Sequence, residues 1–177
     1  MDRDAIVVVS GLPASGKTTL ARGLAMELGL PLISKDTIKE ALFDALGTGD
    51  LEWSQKLGRA AHLVMYGLAR DSRSLVLESH FWTGVAESDL CALGRPLIQV
   101  YCRCPVETAV ERYRQRASSP DRHPGHLAEH QTDEVTKSWS ETEARPLALE
   151  GPLVEVLTSE RVDIGAVASR VRSLWPS

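Results

Sequence analysis

A chain of 177 residues, 43% hydrophobic and 25% charged, has the size and balance of one globular domain spanning 1–177, and excludes a collagen-like or wholly disordered protein. Its formal net charge of −4 and pI near 5.7 lack the excess of Lys and Arg by which proteins coat nucleic acid or acidic lipid.

Ala5 to Val9 is a short β-branched apolar run ended by Ser10-Gly11, the pattern of a strand buried on both faces. After a glycine-rich turn, Leu20, Leu24 and Leu28 recur every four residues beside Ala21 and Ala25, predicting a helix that Gly29-Leu30-Pro31 stops. Leu32-Ile33 read as a second strand. Ser34 is placed to cap a helix carrying Ile38, Ala41, Leu42 and Ala45 on one face up to Gly47. A long helix is predicted from about Trp53 to Arg70, a third strand at Leu75 to Leu77, a helix over Val85 to Leu93, and a fourth strand at Leu97 to Tyr101.

Pro105 suits the first turn of a helix with Val106, Ala109, Val110 and Tyr113 on one face. Ala117 to Gly125, with two prolines and two serines, reads as a mobile loop. A polar helix from about Glu129 to Thr142, a fifth strand at Leu153 to Leu157 and a closing helix from Asp163 to Leu174 complete the chain. Five strands alternating with helices predict an α/β fold in three layers, with a parallel sheet covered on both faces.

Gly11-Leu12-Pro13-Ala14-Ser15-Gly16-Lys17-Thr18 matches G-x-x-x-x-G-K-[ST] between a predicted strand and a predicted helix. The glycines let the backbone bend round phosphate oxygens, and N–H groups of the turn and helix start point inward at them. Gly11 through Thr19 (Leu12, Pro13, Ala14, Ser15, Gly16, Lys17 and Thr18 between them) are therefore the candidate nucleotide contacts. Lys17 would bridge the β- and γ-phosphates of ATP, and the Thr18 hydroxyl would ligate Mg²⁺.

Asp36 lies just past the second strand, at the sheet edge where the phosphate loop also opens. A carboxylate there can accept a hydroxyl proton as oxygen attacks the γ-phosphate, or can simply favour the helix dipole. Glu78 ends an apolar strand in the manner of a Walker B acid and can hold either a Mg²⁺-bound water or the substrate. Ser79-His80-Phe81-Trp82 follows at the same edge. Phe81 and Trp82 read first as core and His80 as structural, but with Asp36, Lys39 and Glu78 the pair His80 and Trp82 are the candidate acceptor contacts.

Arg112 and Arg116 sit four apart on the helix entering the mobile loop, and Arg122, His123 and His126 continue the basic run. Guanidinium groups on a lid over about 114–128 would neutralise a transferring phosphoryl group, and closure would exclude water.

With the phosphate loop at 11–18, the strand-two acid Asp36 and the Arg112/Arg116 pair before a lid, the chain resembles the small P-loop kinases: adenylate and gluconate kinases, chloramphenicol phosphotransferase, zeta-toxin kinases and the kinase domain of polynucleotide kinase. The resemblance covers nearly the whole chain in order of elements. It implies strand order 2-3-1-4-5, Arg112 near the nucleotide base, Arg116 on its phosphates, Thr158 to Arg161 bordering the adenine, and Asp36 as the base for a substrate hydroxyl. Two departures stand out: there is no Asn-Lys-x-Asp guanine motif, and the Asp-Gly-Phe-Pro-Arg signature of nucleoside monophosphate kinases is replaced by Glu78 to Trp82. The acceptor is thus sought near Glu78 and among the helices from Thr37 to Arg70, which carry Trp53, His62 and Tyr66.

The reading that follows is an ATP- and Mg²⁺-dependent kinase acting on a hydroxyl of an antibiotic- or sugar-like small molecule. A polynucleotide 5′-hydroxyl kinase and a non-catalytic ATP-binding regulatory module are the alternatives. Three cysteines, Cys91, Cys102 and Cys104, fit buried or free thiols in a reducing cytoplasm, and Cys102-Arg103-Cys104 lacks the second ligand pair of a zinc site. The acidic start and the absence of a long apolar run predict a cytoplasmic protein with no membrane partner. Charge is also segregated. Arg103, Arg112, Arg114, Arg116 and Arg122 crowd the segment where a triphosphate needs them, so a locally bound single strand is compatible with the net negative charge.

Overall fold

The computed structural model describes residues 4–117, 119, 122–126, 139 and 144–176. The first strand, β1 (Ile6–Ser10), is buried at every position and forms the centre of a five-stranded sheet. The order is β2-β3-β1-β4-β5, where β2 is Leu32–Ser34, β3 Leu75–Glu78, β4 Leu97–Arg103 and β5 Leu153–Leu157. All four pairings are parallel, as the alternation of elements and the family resemblance imply.

Alternation along β1 divides the core. Val7 and Val9 face one side, with Leu20, Leu24 and Leu28 of α1 (Lys17–Leu28) and Ala168 and Val171 of α6 (Ile164–Ser173). Ile6 and Val8 face the other, with Met65, Tyr66 and Ala69 of α3 (Leu51–Asp71) and Ala86 and Leu90 of α4 (Ala86–Cys91). Burying each such aliphatic chain contributes roughly 1.5–3 kcal/mol, so both helical layers are anchored through one strand. A third cluster, Leu12 with Cys104, Ala109 and Trp139, fixes the phosphate loop against α5 (Val106–Ala117).

Helix α2 (Lys35–Leu46) departs from its expected face. Ile38 and Leu42 are half-buried and Ala41 and Ala45 exposed, while Phe43, off that stripe, is 2% exposed. The reason is tertiary: the segment 122–126 packs on Phe43, whose ring stacks on His123 at 5.5 Å and meets His126 edge-on at 6.2 Å. Ser34 precedes α2 as expected but makes no side-chain cap, because its hydroxyl donates to Glu78 instead. Asp50 and Asp163 do cap, accepting from the backbone N–H of Trp53 and Ala166. Of the helix expected over Glu129 to Thr142 only Trp139 is described, and residues 118, 120, 121, 127 and 128 of the expected lid lie outside the described residues.

The cysteines are free, Cys91 exposed and Cys102 and Cys104 buried. Among the described residues no helix is long and apolar enough to cross a membrane, and no three His, Cys, Asp or Glu side chains gather as a metal cluster.

Candidate active site

The loop between β1 and α1 turns on Gly11 (φ 141°) and Gly16 (φ 90°). A Cβ at Gly11 would lie 2.7 Å from the Cys102 carbonyl oxygen, so only glycine lets the loop leave the sheet beside β4. Lys17 is 6% exposed, and its ammonium donates to the Leu12 carbonyl at 2.6 Å. Burial pulls Lys17 below the ordinary lysine range, with Glu78, Cys102 and Asp36 pulling back. The lysine is thus folded onto its own loop by a bond that phosphate oxygens can replace. Thr18 Oγ1 donates to Glu78 Oε1 at 3.4 Å, and Ser34 Oγ to Glu78 Oε2 at 2.6 Å. This oriented carboxylate, 2% exposed, beside a hydroxyl is an all-oxygen donor set that suits a hard cation keeping several waters.

A cavity of about 390 Å³ is lined by Pro13, Ala14, Gly16, Lys17, Thr18 and Thr19 of the loop, by Asp36, Glu78, His80 and Trp82, and by Arg112, Arg116 and Arg122. Of the expected nucleotide contacts, Leu12 and Ser15 turn inward, at 1% and 0% exposure; they shape the loop rather than line the cavity. Lys39 lines a second cavity instead.

Asp36 reaches the mouth with its side chain 47% exposed, paired to Lys35 Nζ at 3.0 Å. Burial pushes its pKa up, but the Lys35 charge and hydrogen bond, with His126 and Lys17, outweigh this and hold it at about 2. His80 Nδ1 lies 3.2 Å from the Gly11 carbonyl oxygen, which makes Nδ1 the protonated nitrogen, and burial with the Lys17 charge lowers its pKa to about 4. Its ring meets Trp82 edge-on at 4.7 Å. His80 therefore braces the loop as a neutral imidazole. Phe81 is core, as expected, while Trp82 is 53% exposed at the cavity wall.

Arg112 donates to the carbonyls of Thr158 (2.8 Å) and Ser159 (3.2 Å), which joins α5 to the turn after β5 beside Gly16. The Arg122 guanidinium rests 5.2 Å from the Tyr113 ring centroid; its Nε and Nη1 are buried without a hydrogen-bond partner among the described residues, an unusual state for a cation that acceptor oxygens would relieve. The segment bearing it is tied to α2 by His123 to Asp44 (3.1 Å) and His126 to Glu40 (2.9 Å).

The second cavity, about 730 Å³, lies between α2, α3 and the stretch after β3. Lys35, His62 and Trp82 line both cavities, so the two adjoin. His62 and Tyr66 are in its wall as the sequence suggested, whereas Trp53 turns away to donate to the Gly47 carbonyl. Lys35, Ser54, Arg59 and Arg70 escaped the sequence reading. For α3 the missed signal is the spacing 55, 59, 62, 66 and 70, a polar stripe on one helical face.

Fold and loop together define a small P-loop kinase domain. The sequence pattern of the family described as an AAA domain matches residues 6–142, and the chain belongs to that family. It is similar to a crystal structure of a candidate kinase from Chloroflexus aurantiacus, with 34% identity and a TM-score of 0.86, covering 99% of this chain and 100% of that one. Kti12 of Chaetomium thermophilum, in complex with ADP-AlF3, shares the fold at 20% identity and a TM-score of 0.66, over 97% of this chain and 100% of its own. The chain is also 28% identical over 119 residues to a cytidylate kinase of Methanobrevibacter smithii and 29% over 120 to one of Ignicoccus hospitalis, covering 64% and 63% of this chain. It spans 64% of the length of both these curated relatives.

Proposed function

We propose that the chain transfers the γ-phosphate of ATP to a hydroxyl of a small acceptor seated in the cavity between α2 and α3. The observation that carries this reading is the position of Asp36 in one cavity with Lys17, Thr18, Arg116 and Arg122, beside Lys35, which also lines the second cavity. The adenine lies beside Arg112 and the turn from Thr158 to Arg161. Lys17 exchanges the Leu12 carbonyl for phosphate oxygens, and Arg122 gains the acceptors it lacks. Thr18 and Glu78 would hold Mg²⁺, which would supply charge neutralisation on the phosphates.

In the transfer, the acceptor oxygen forms a bond to the γ-phosphorus and the bond to the β–γ bridging oxygen breaks. ADP departs with that electron pair, and the hydroxyl proton passes to Asp36. A carboxylate with a pKa near 2 is a weak base, so its chief work is orienting the hydroxyl; the proton moves late in a loose transition state.

The cytidylate kinases among the relatives favour a second reading, a nucleotide acceptor whose phosphate is attacked. Asp36→Asn separates the two. For a hydroxyl acceptor, kcat falls by about 10²–10⁴ with the KM for ATP little changed. For a phosphate acceptor, removing a negative charge beside it leaves kcat unchanged or raises it. ³¹P NMR of the product distinguishes a phosphate ester from a phosphoanhydride.

A further inference from the structure

We infer that the acceptor is an anionic alcohol, its phosphate or carboxylate held between Lys39 and Arg59 and its body against Tyr66, Phe81 and Trp82; this rests on the phosphotransfer reading above. The second cavity is lined by Lys35, Lys39, Arg59 and Arg70 against the single acid Asp89 among the described residues. Lys35 is engaged by Asp36. Asp89 acts on Tyr66, where burial first and Asp89 second push the phenol to about 12. The carboxylate that acts on Lys39 is Asp36, already paired to Lys35, so the cations of the cleft outnumber its acids.

The Lys39 ammonium donates to Ser54 Oγ at 2.8 Å and lies 5.2 Å from the Phe43 centroid. Both partners are neutral. Burial, then the Lys35 charge, pulls it down to about 8, with Asp36 opposing and Arg122 adding to the repulsion. Its Nζ comes within 3.8 Å of where a side chain at Gly58 would begin, next to Arg59. Arg59 makes no hydrogen bond or ion pair among the described residues. A cation held among other cations in a half-buried cleft is relieved more by an anion than by a neutral ligand. The cavity also has aromatic lining, with Tyr66 on the same face of α3 as Arg59 and Phe81 and Trp82 from the stretch after β3, at 6%, 5% and 53% exposure, which suits a flat or ring-shaped body.

The test uses matched probes with the full chain: cytidine against cytidine 5′-monophosphate, and glucitol against gluconate. Binding is read by thermal shift and transfer by labelled ATP, for the wild type, Arg59→Ala and Arg59→Lys. Arg59 is exposed on α3, so both variants should fold. At least one anionic probe is expected to bind about 10- to 100-fold more tightly than its neutral partner. Arg59→Ala should raise its KM by a similar factor with the KM for ATP moved less than about twofold, and Arg59→Lys should recover most of the loss. Preference for the nucleotide pair with a phosphate ester as product by ³¹P NMR assigns phosphate, preference for the sugar pair assigns carboxylate, and a phosphoanhydride formed from cytidine 5′-monophosphate overturns the inference.

Equal binding of charged and neutral members, no binding of either anion, or indifference to Arg59→Ala overturns the inference. Transfer to neutral alcohols alone overturns it while leaving the kinase standing. Arg59-dependent binding of an anion without transfer supports the pocket and refutes the phosphotransfer reading.

Discussion

Phe43 is buried, yet it belongs to none of the three apolar clusters. Its neighbours include His123, His126 and Lys39. A Cβ on Gly125 would fall 2.3 Å from the ring, so that backbone presses directly on it. Truncating a core Phe costs about 3–5 kcal/mol; here most of that loss should fall on docking of the segment carrying Arg122. What remains are two partly exposed His–carboxylate pairs at about 0–1 kcal/mol each and the Arg122–Tyr113 contact at about 0.5–1 kcal/mol. Losing even 3 kcal/mol shifts the docked-to-undocked ratio by about 150-fold. Phe43→Ala should therefore speed tryptic cleavage after Arg116 and Arg122 by about 100-fold under native conditions and lower kcat at least tenfold. The urea midpoint should move less than for a sheet residue of equal size. A full core-sized loss of global stability with unchanged cleavage and kcat would show that Phe43 braces the domain rather than the lid, and the reasoning would fail.

Glu78→Gln keeps the shape but removes the charge beside Thr18. The Mg²⁺ concentration for half-maximal activity should rise about tenfold or more, while metal-free ATP, followed by a fluorescent analogue, should bind as well or better. Gly11→Ala combines a φ of 141° with a 2.7 Å approach to the Cys102 carbonyl; a loss of at least about 2 kcal/mol in chemical denaturation is expected. His80 has a folded pKa near 4 against the ordinary 6.5, so between these values the unfolded chain binds the extra proton. Stability should then fall as pH drops from 6.5 toward 4, and His80→Gln should flatten that part of the melting profile.

The sheet was legible because β-branched runs and glycine punctuation are local signals: Ile6 to Ser10, the loop at 11–18 and Leu75 to Glu78 lie where the pattern puts them. Asp36, Arg112, Arg116 and Arg122 converge on the loop because the carboxyl ends of parallel strands share one edge. Phe43 was not legible, because the residues that bury it come some eighty positions later. Ser34 misled for a related reason: it is a good cap by type, but a buried carboxylate on the neighbouring strand competes for its hydroxyl. The stripe at Arg59 and Arg70 was not legible, since only the fold sets α3 against Trp82.

Lys35, His62 and Trp82 line both cavities. If nucleotide and acceptor occupy them as proposed, each ligand would meet side chains the other also touches, and thermodynamic linkage would make the resulting help or hindrance equal in both directions. An acceptor's affinity measured on the nucleotide-free chain is therefore a different quantity from its affinity in the ternary complex. Ligand screens should include a non-hydrolysable ATP analogue from the outset.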